Sequence, residues 1–113
     1  MNTTTALPRQ RLCVLGSTGS VGVNTLDVAA RHPGLFEVVA LAGHMRVDEL
    51  FAQCVRWRPR FAAMGQPAQA DELARRLRQA GVATEVMHGP QALRELVAHP
   101  EVDTVMAAIV GAA

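Results

Sequence analysis

A glycine-rich segment near the start of the chain carries the clearest chemistry in the sequence. A short apolar run at residues 12–15 is followed by Gly16, Gly19 and Gly22, and then by an amphipathic segment. This order predicts a buried strand, a tight glycine turn and the beginning of a helix. The first N–H groups of a helix have no partner within it and carry partial positive charge, and glycines let a phosphate approach the backbone closely. The segment therefore predicts a cradle for the diphosphate of a dinucleotide.

The spacing of these glycines leaves a second interpretation open. It is G-x-x-G-x-x-G rather than the commoner G-x-G-x-x-G, so the motif alone has only moderate specificity. An ordinary glycine-rich turn between a strand and a helix would give the same pattern. The position directly after a strand favours phosphate binding, and so does Ser20, which is placed to cap the helix that follows.

The loop after the second predicted strand indicates which dinucleotide is bound. In such folds an acidic residue at this point holds the ribose hydroxyls of NAD, whereas an arginine accommodates the 2′-phosphate of NADP. Here the loop contains Gly43, His44 and Arg46, and the first carboxylate is Asp48, which we expect in the first turn of the next helix. Arg46, assisted by His44, therefore predicts a preference for NADPH, although a solvated loop arginine is the alternative.

Composition restricts the class of protein. The 113 residues suffice for one domain, half of them are hydrophobic, and the net charge of +1 argues against binding to nucleic acid or to a membrane surface through bulk charge. All the basic side chains other than histidine are arginines, which excludes a Schiff-base lysine. Cys13 and Cys54 belong to no Cys/His cluster, so we expect two buried, reduced thiols in a cytoplasmic protein rather than a zinc site. The polar residues 1–10 form a lead without the apolar core of a signal peptide.

The elements that must position the glycine turn alternate regularly along the chain. Strands are predicted at residues 12–15, 36–42, 61–64, 84–87 and 102–110, and helices at 21–31, 47–57, 69–80 and 89–98. This alternation predicts an α/β fold, a Rossmann-like doubly wound sheet that is mostly parallel, with helices on both faces. Because the sequence stops just after its fifth strand, we expect residues 11–113 to be an incomplete cofactor-binding domain of a longer protein.

Several of these segments together resemble the 1-deoxy-D-xylulose 5-phosphate reductoisomerase family. The resemblance covers essentially residues 11–113. It is carried by Leu-Gly-Ser-Thr-Gly-Ser-Val-Gly at residues 15–22, Asn-Thr-Leu-Asp-Val at 24–28, Phe-Glu-Val-Val-Ala-Leu at 36–41, Gln-Cys at 53–54 and Val-Met-Ala-Ala-Ile-Val-Gly-Ala-Ala at 105–113. It implies an NADPH-dependent oxidoreductase of the non-mevalonate isoprenoid pathway. Such an enzyme isomerises 1-deoxy-D-xylulose 5-phosphate, a ketose phosphate, and reduces it to 2-C-methyl-D-erythritol 4-phosphate. A divalent metal, Mg²⁺ or Mn²⁺, polarises the substrate oxygens.

The resemblance also implies roles for individual residues. Residues 43–46 would hold the 2′-phosphate, although the family's Gly-Lys-Asn is replaced by His44-Met45-Arg46, and residues 108–111 would lie near the nicotinamide. The catalytic and metal-binding residues would follow Ala113, so this chain alone would be inactive, and the full-length enzyme would be a cytoplasmic homodimer. The phosphates of the cofactor would be cradled by Thr18, Gly19, Ser20 and Val21.

Two other functions remain open from the sequence. The chain could be a self-standing dinucleotide-binding module without catalysis, or the cofactor domain of another oxidoreductase such as a semialdehyde dehydrogenase. Metal-ligand carboxylates in a continuing sequence would favour the reductoisomerase, and a catalytic cysteine would favour the dehydrogenase.

Overall fold

The computed structural model describes residues 9–107, which form five strands and four helices in strict alternation. In chain order these are β1 (Gln10–Leu15), α1 (Ser20–Arg31), β2 (Phe36–Ala42), α2 (Val47–Trp57), β3 (Phe61–Met64), α3 (Pro67–Gln79), β4 (Glu85–His88), α4 (Gly89–Val97) and β5 (Thr104–Ala107). The bounds of β2, α2 and β3 are those predicted, because continuous apolar runs, helical periodicity and Pro59 mark them clearly. The last three residues of the predicted fifth strand, 108–110, lie outside the described part of the chain.

Other elements begin up to two residues away from the predictions: β1 begins two residues earlier than predicted and β5 two residues later, and two of the helices begin early. Helix α1 begins at Ser20, and Gly19 is its N-cap, so the expectation that Ser20 caps the helix is wrong. Gly19 takes the extended cap conformation (φ −80°, ψ 170°), which leaves Ser20 already inside the first turn. Helix α3 begins at Pro67, two residues before the predicted Gln69, because proline's fixed φ suits the first helical position.

All strand pairings within residues 9–107 are parallel, in the order β4-β3-β2-β1-β5. From β1 the chain steps outward through β2 and β3 to β4, and then returns to the other side of β1 as β5. This reversal beside β1 is a topological switch point. In open parallel sheets, ligands bind at such a point, in the crevice at the carboxyl ends of the strands.

Helices cover both faces of the sheet, as predicted. On one face α1, α2 and α3 enclose the larger core, which includes the fully buried Leu41, Leu50 and Leu73. On the other face α4 packs Leu96 against a smaller core that contains Val39. Residues 38–42 of β2 are all buried, which is typical of a parallel strand covered on both sides.

The two cysteines are free thiols, and each lies in one of these cores with its side chain inaccessible to solvent. Burial raises the pKa of Cys13 to about 11 and that of Cys54 to about 12, because the thiolate is disfavoured away from water. Among the helices of residues 9–107, none combines the length and the apolar character needed to cross a membrane.

Candidate cofactor site

The turn after β1 depends on glycine at its first position. Gly16 has φ of +67°, a left-handed conformation that side chains other than glycine's rarely allow. The N–H of Gly19 then donates to the carbonyl oxygen of Gly16 at 3.1 Å, which closes the turn before α1 begins. The chain therefore leaves the interior strand β1 and enters α1 within four residues, at the carboxyl edge of the sheet.

The other two glycines of the motif are needed for different reasons. A Cβ on Gly22 would lie 2.6 Å from Ser17 Cα and would overlap the carbonyl oxygen of Gly16, so this glycine lets α1 pack directly on the turn. Among residues 9–107, a Cβ on Gly19 would contact only the Gly16 oxygen, at an ordinary 3.5 Å. This part of the chain therefore leaves the space beyond Gly19 open, as an approaching phosphate requires.

The beginning of α1 offers hydrogen-bond donors that have no partner among the described residues 9–107. The first helical hydrogen bond runs from the N–H of Val23 to the carbonyl oxygen of Gly19 at 2.9 Å, so the N–H groups of residues 20–22 precede it. No side chain in the described part of the chain caps this end of the helix. Ser20 and Val21 are exposed, and Thr18 and Gly19 are half-buried. The arrangement fits an anionic group, which these N–H groups and the helix dipole would attract.

A partly buried polar pair, which the sequence analysis did not identify, holds the turn in place. The hydroxyl of Ser17 donates to Gln53 Oε1 at 2.7 Å, and Gln53 Nε2 donates back to the carbonyl oxygen of Ser17 at 2.8 Å. Ser17 is fully buried, and Gln53 projects from α2 beside the core residues Leu50 and Cys54. The pair thus fixes the glycine turn to α2 with both polar groups satisfied.

The loop between β2 and α2 lies beside the glycine turn. The N–H of Ser17 donates to the carbonyl oxygen of Ala42 at 3.0 Å, and the Thr18 side chain is adjacent to Gly43. The N–H of Gly43 in turn donates to the carbonyl oxygen of Ala63, at the end of β3, at 2.9 Å. The two segments that the sequence singled out are therefore neighbours at one edge of the sheet.

Arg46 and His44 are the exposed polar side chains of this loop. Arg46 is the N-cap residue of α2, and no ion pair within residues 9–107 involves it. Other arginines of the described chain are paired, such as Arg11 with Asp103 at 3.1 Å. The guanidinium of Arg46 is thus available to an anion at the same edge as the glycine turn.

Residues 9–107 contain no group of three or more His, Cys, Asp or Glu side chains that could hold a metal ion. The predicted nicotinamide contacts at residues 108–111 fall outside the described residues.

Comparison with known proteins identifies the family. Residues 12–113 match the family model described as 1-deoxy-D-xylulose 5-phosphate reductoisomerase. The chain is 56% identical over 104 residues to the reductoisomerase of that name from Aromatoleum aromaticum, and 55% identical over 104 residues to that from Dechloromonas aromatica. Each match covers 92% of this chain and 26% of the relative, so the chain spans about a quarter of the length of these relatives.

Solved structures agree with this assignment. A crystal structure of DOX-P reductoisomerase in complex with NADPH, fosmidomycin and magnesium superposes with a TM-score of 0.85 at 36% identity, over 88% of this chain and 24% of that one. The Zymomonas mobilis enzyme in complex with NADPH superposes with a TM-score of 0.81 at 32% identity, over 90% of this chain and 26% of that one. The chain therefore belongs to the 1-deoxy-D-xylulose 5-phosphate reductoisomerase family.

Proposed function

We propose that this chain is the NADPH-binding part of a 1-deoxy-D-xylulose 5-phosphate reductoisomerase. The parent enzyme would isomerise this ketose phosphate and reduce it to 2-C-methyl-D-erythritol 4-phosphate in non-mevalonate isoprenoid biosynthesis. One observation carries the proposal. In this member of the family, the beginning of α1 and the side chain of Arg46 lie together at the switch point of the sheet, and neither has a side-chain partner among residues 9–107.

The residues of the glycine turn would bind the diphosphate. The N–H groups of residues 20–22 point out of the first turn of α1 and can donate to phosphate oxygens without breaking any helical hydrogen bond. Gly19 leaves room for this approach, and Gly16 sets the direction of the chain. Thr18 would add a hydroxyl beside the loop after β2. When bound, NADPH supplies the hydride for the reduction step.

Arg46 would select NADPH over NADH. Its guanidinium can form two parallel hydrogen bonds to a phosphate. NADH has a hydroxyl in place of the 2′-phosphate and would gain little from this arginine. His44 would assist as a second donor from the same loop, in a family whose loop in some members reads Gly-Lys-Asn.

The remaining parts of the proposal rest on the resemblance to the family. A divalent metal, Mg²⁺ or Mn²⁺, would polarise the substrate oxygens through ligands that lie beyond residue 113, and the substrate phosphate would bind there too. Residues 11–113 would thus form the cofactor domain of a cytoplasmic enzyme that acts as a homodimer.

Calorimetric titration with NADPH and with NADH tests the proposed cofactor site. The wild-type chain should bind NADPH in preference to NADH, and Arg46→Ala should weaken NADPH binding about tenfold or more, since a hydrogen bond to a charged group contributes about 1.5–3 kcal/mol. NADH binding should change little. Arg31→Ala is the matched control, because it removes an exposed arginine at the far end of α1. Equal affinity for the two cofactors, unchanged by Arg46→Ala, would refute the assignment.

Activity needs a separate test. A chain extended to the length of the family's members should convert 1-deoxy-D-xylulose 5-phosphate with NADPH and a divalent metal, and should be less active with NADH. The Arg46→Ala variant of this extended chain should lose its preference for NADPH over NADH. Binding of NADPH without activity in the extended chain would instead favour a nucleotide-binding module without catalysis.

A further inference from the structure

The residue that follows β3 makes room for a side chain of the cofactor loop. A Cβ on Gly65 would lie 2.8 Å from His44 Cε1, would overlap Nδ1 of the same ring and would lie 3.0 Å from the His44 carbonyl oxygen. The imidazole therefore rests directly on the backbone of Gly65, in space that any other residue would occupy.

Conformational freedom does not explain this glycine. The glycines with positive φ within residues 9–107 are Gly16, Gly81 and Gly89, so the backbone of Gly65 would suit other residue types. The requirement is steric. A substitution here tests the position of the His44 ring without straining the backbone.

Hydrogen bonds fasten the same two segments together. The N–H of Gly65 donates to the His44 carbonyl oxygen at 2.8 Å, and the N–H of Gly43 donates to the carbonyl oxygen of Ala63 at 2.9 Å. The loop after β2 is thus held against the end of β3 just before it reaches Arg46. A side chain at Gly65 would push on both the ring and the carbonyl group that accepts this bond.

We propose that Gly65 is a positioning residue for cofactor selectivity. Because it packs against the His44 ring and its N–H donates to the His44 carbonyl oxygen, it holds the loop so that Arg46 meets the 2′-phosphate of NADPH. The inference rests on the proposed cofactor site and goes beyond it, because Gly65 follows a different strand, β3, and offers no side chain to the ligand. Its effect passes through His44, so it should act on NADPH and leave NADH unaffected.

The test is a Gly65→Ala variant titrated with both cofactors by calorimetry. We expect NADPH to bind about tenfold more weakly, as for loss of one charge-assisted hydrogen bond, and NADH affinity to stay unchanged. Gly34→Ala is the matched control, because a Cβ at residue 34 meets no atom of residues 9–107 within 4 Å. Both substitutions exchange glycine for alanine, so they reduce the conformational entropy of the unfolded chain by the same amount. Circular dichroism verifies that both variants fold.

A double-mutant cycle shows whether the effect passes through His44. His44→Ala should itself weaken NADPH binding, and it carries the test if Gly65→Ala fails to fold. In the His44→Ala background, Gly65→Ala should weaken NADPH binding less than it does in the wild-type chain, because the ring is absent and only the contact with the carbonyl oxygen of residue 44 remains. Undiminished NADPH selectivity in Gly65→Ala or in His44→Ala would overturn this inference and leave the proposed function intact. Failure of the wild-type chain to bind NADPH would overturn both.

Discussion

Gly22→Ala tests whether the third glycine of the motif serves packing rather than phosphate binding. The added methyl group would lie 2.6 Å from Ser17 Cα and 2.8 Å from the Ser17 carbonyl carbon, and would overlap the Gly16 carbonyl oxygen. All three are backbone atoms, which have no rotamer to change. Relief therefore requires α1 to move away from the turn.

The size of the effect follows from two opposing contributions. Overpacking in a well-filled site costs about 1–3 kcal/mol, and a backbone clash belongs at the upper end. Replacing glycine by alanine inside a helix returns about 1 kcal/mol. We expect the free energy of unfolding to fall by about 2 kcal/mol, which lowers Tm by about 8 °C in a chain of this size.

Gly19→Ala is the matched control within the same turn. Its Cβ would sit 3.5 Å from the Gly16 oxygen, and the N-cap conformation suits alanine, so the free energy of unfolding should change by less than about 1 kcal/mol. The methyl group would nevertheless occupy the space through which a phosphate approaches. This variant should lose NADPH affinity while remaining stable.

Urea denaturation followed by circular dichroism, with NADPH titration of the same samples, distinguishes the two glycines. Gly22→Ala should lose stability and binding together, and Gly19→Ala should lose binding alone. A Gly22→Ala variant as stable as the wild type, or a Gly19→Ala variant destabilised to the same extent as Gly22→Ala, would refute this assignment of roles.

Further predictions concern buried groups. Ser17→Ala leaves Gln53 Oε1 without its donor and should lower the free energy of unfolding by about 1–3 kcal/mol. In a double-mutant cycle with Gln53→Ala, losses of unfolding free energy that add strictly would contradict a direct interaction between the two side chains. Neither Cys13 nor Cys54 should react with Ellman's reagent at pH 8 until denaturant is added, because burial protects both thiols and raises their pKa values; rapid reaction of the native chain would contradict this. Because folding raises these pKa values, the two buried thiols stabilise the fold fully below the unfolded pKa of about 8.5. This stabilisation should be lost as the pH rises toward 11–12, which denaturant titrations at several pH values would show.

Local sequence signals were sufficient for most of the fold. The residues of β2 form a continuous apolar run that suits a strand buried on both faces, and α2 shows helical spacing of its apolar residues before Pro59. Alternation of these elements along the chain then implied the parallel sheet. The glycine turn was found for the same reason, since the glycines that shape it lie close together in the sequence.

Contacts between distant residues could not be predicted in this way. The partners Ser17 and Gln53 are 36 positions apart, and the only signal was a glutamine placed among the core positions of α2. The contact between the His44 ring and Gly65 gave no signal in the sequence, because a single glycine after a strand can serve many different purposes. The misplaced cap at Ser20 arose from one residue of uncertainty in where the turn ends.

The return of the chain to β1 as β5 has a consequence for the order of folding. Strand β1 pairs with β2 through a crossover of about twenty residues, but its other edge is completed only when Thr104–Ala107 arrive, with Arg11 and Asp103 joined across 92 positions. During synthesis the glycine turn therefore leaves the ribosome long before the sheet beside it is complete. Until then β1 exposes an unpaired edge, a potential template for association with other chains. Because the two strands are far apart in the sequence, we expect their pairing to slow folding.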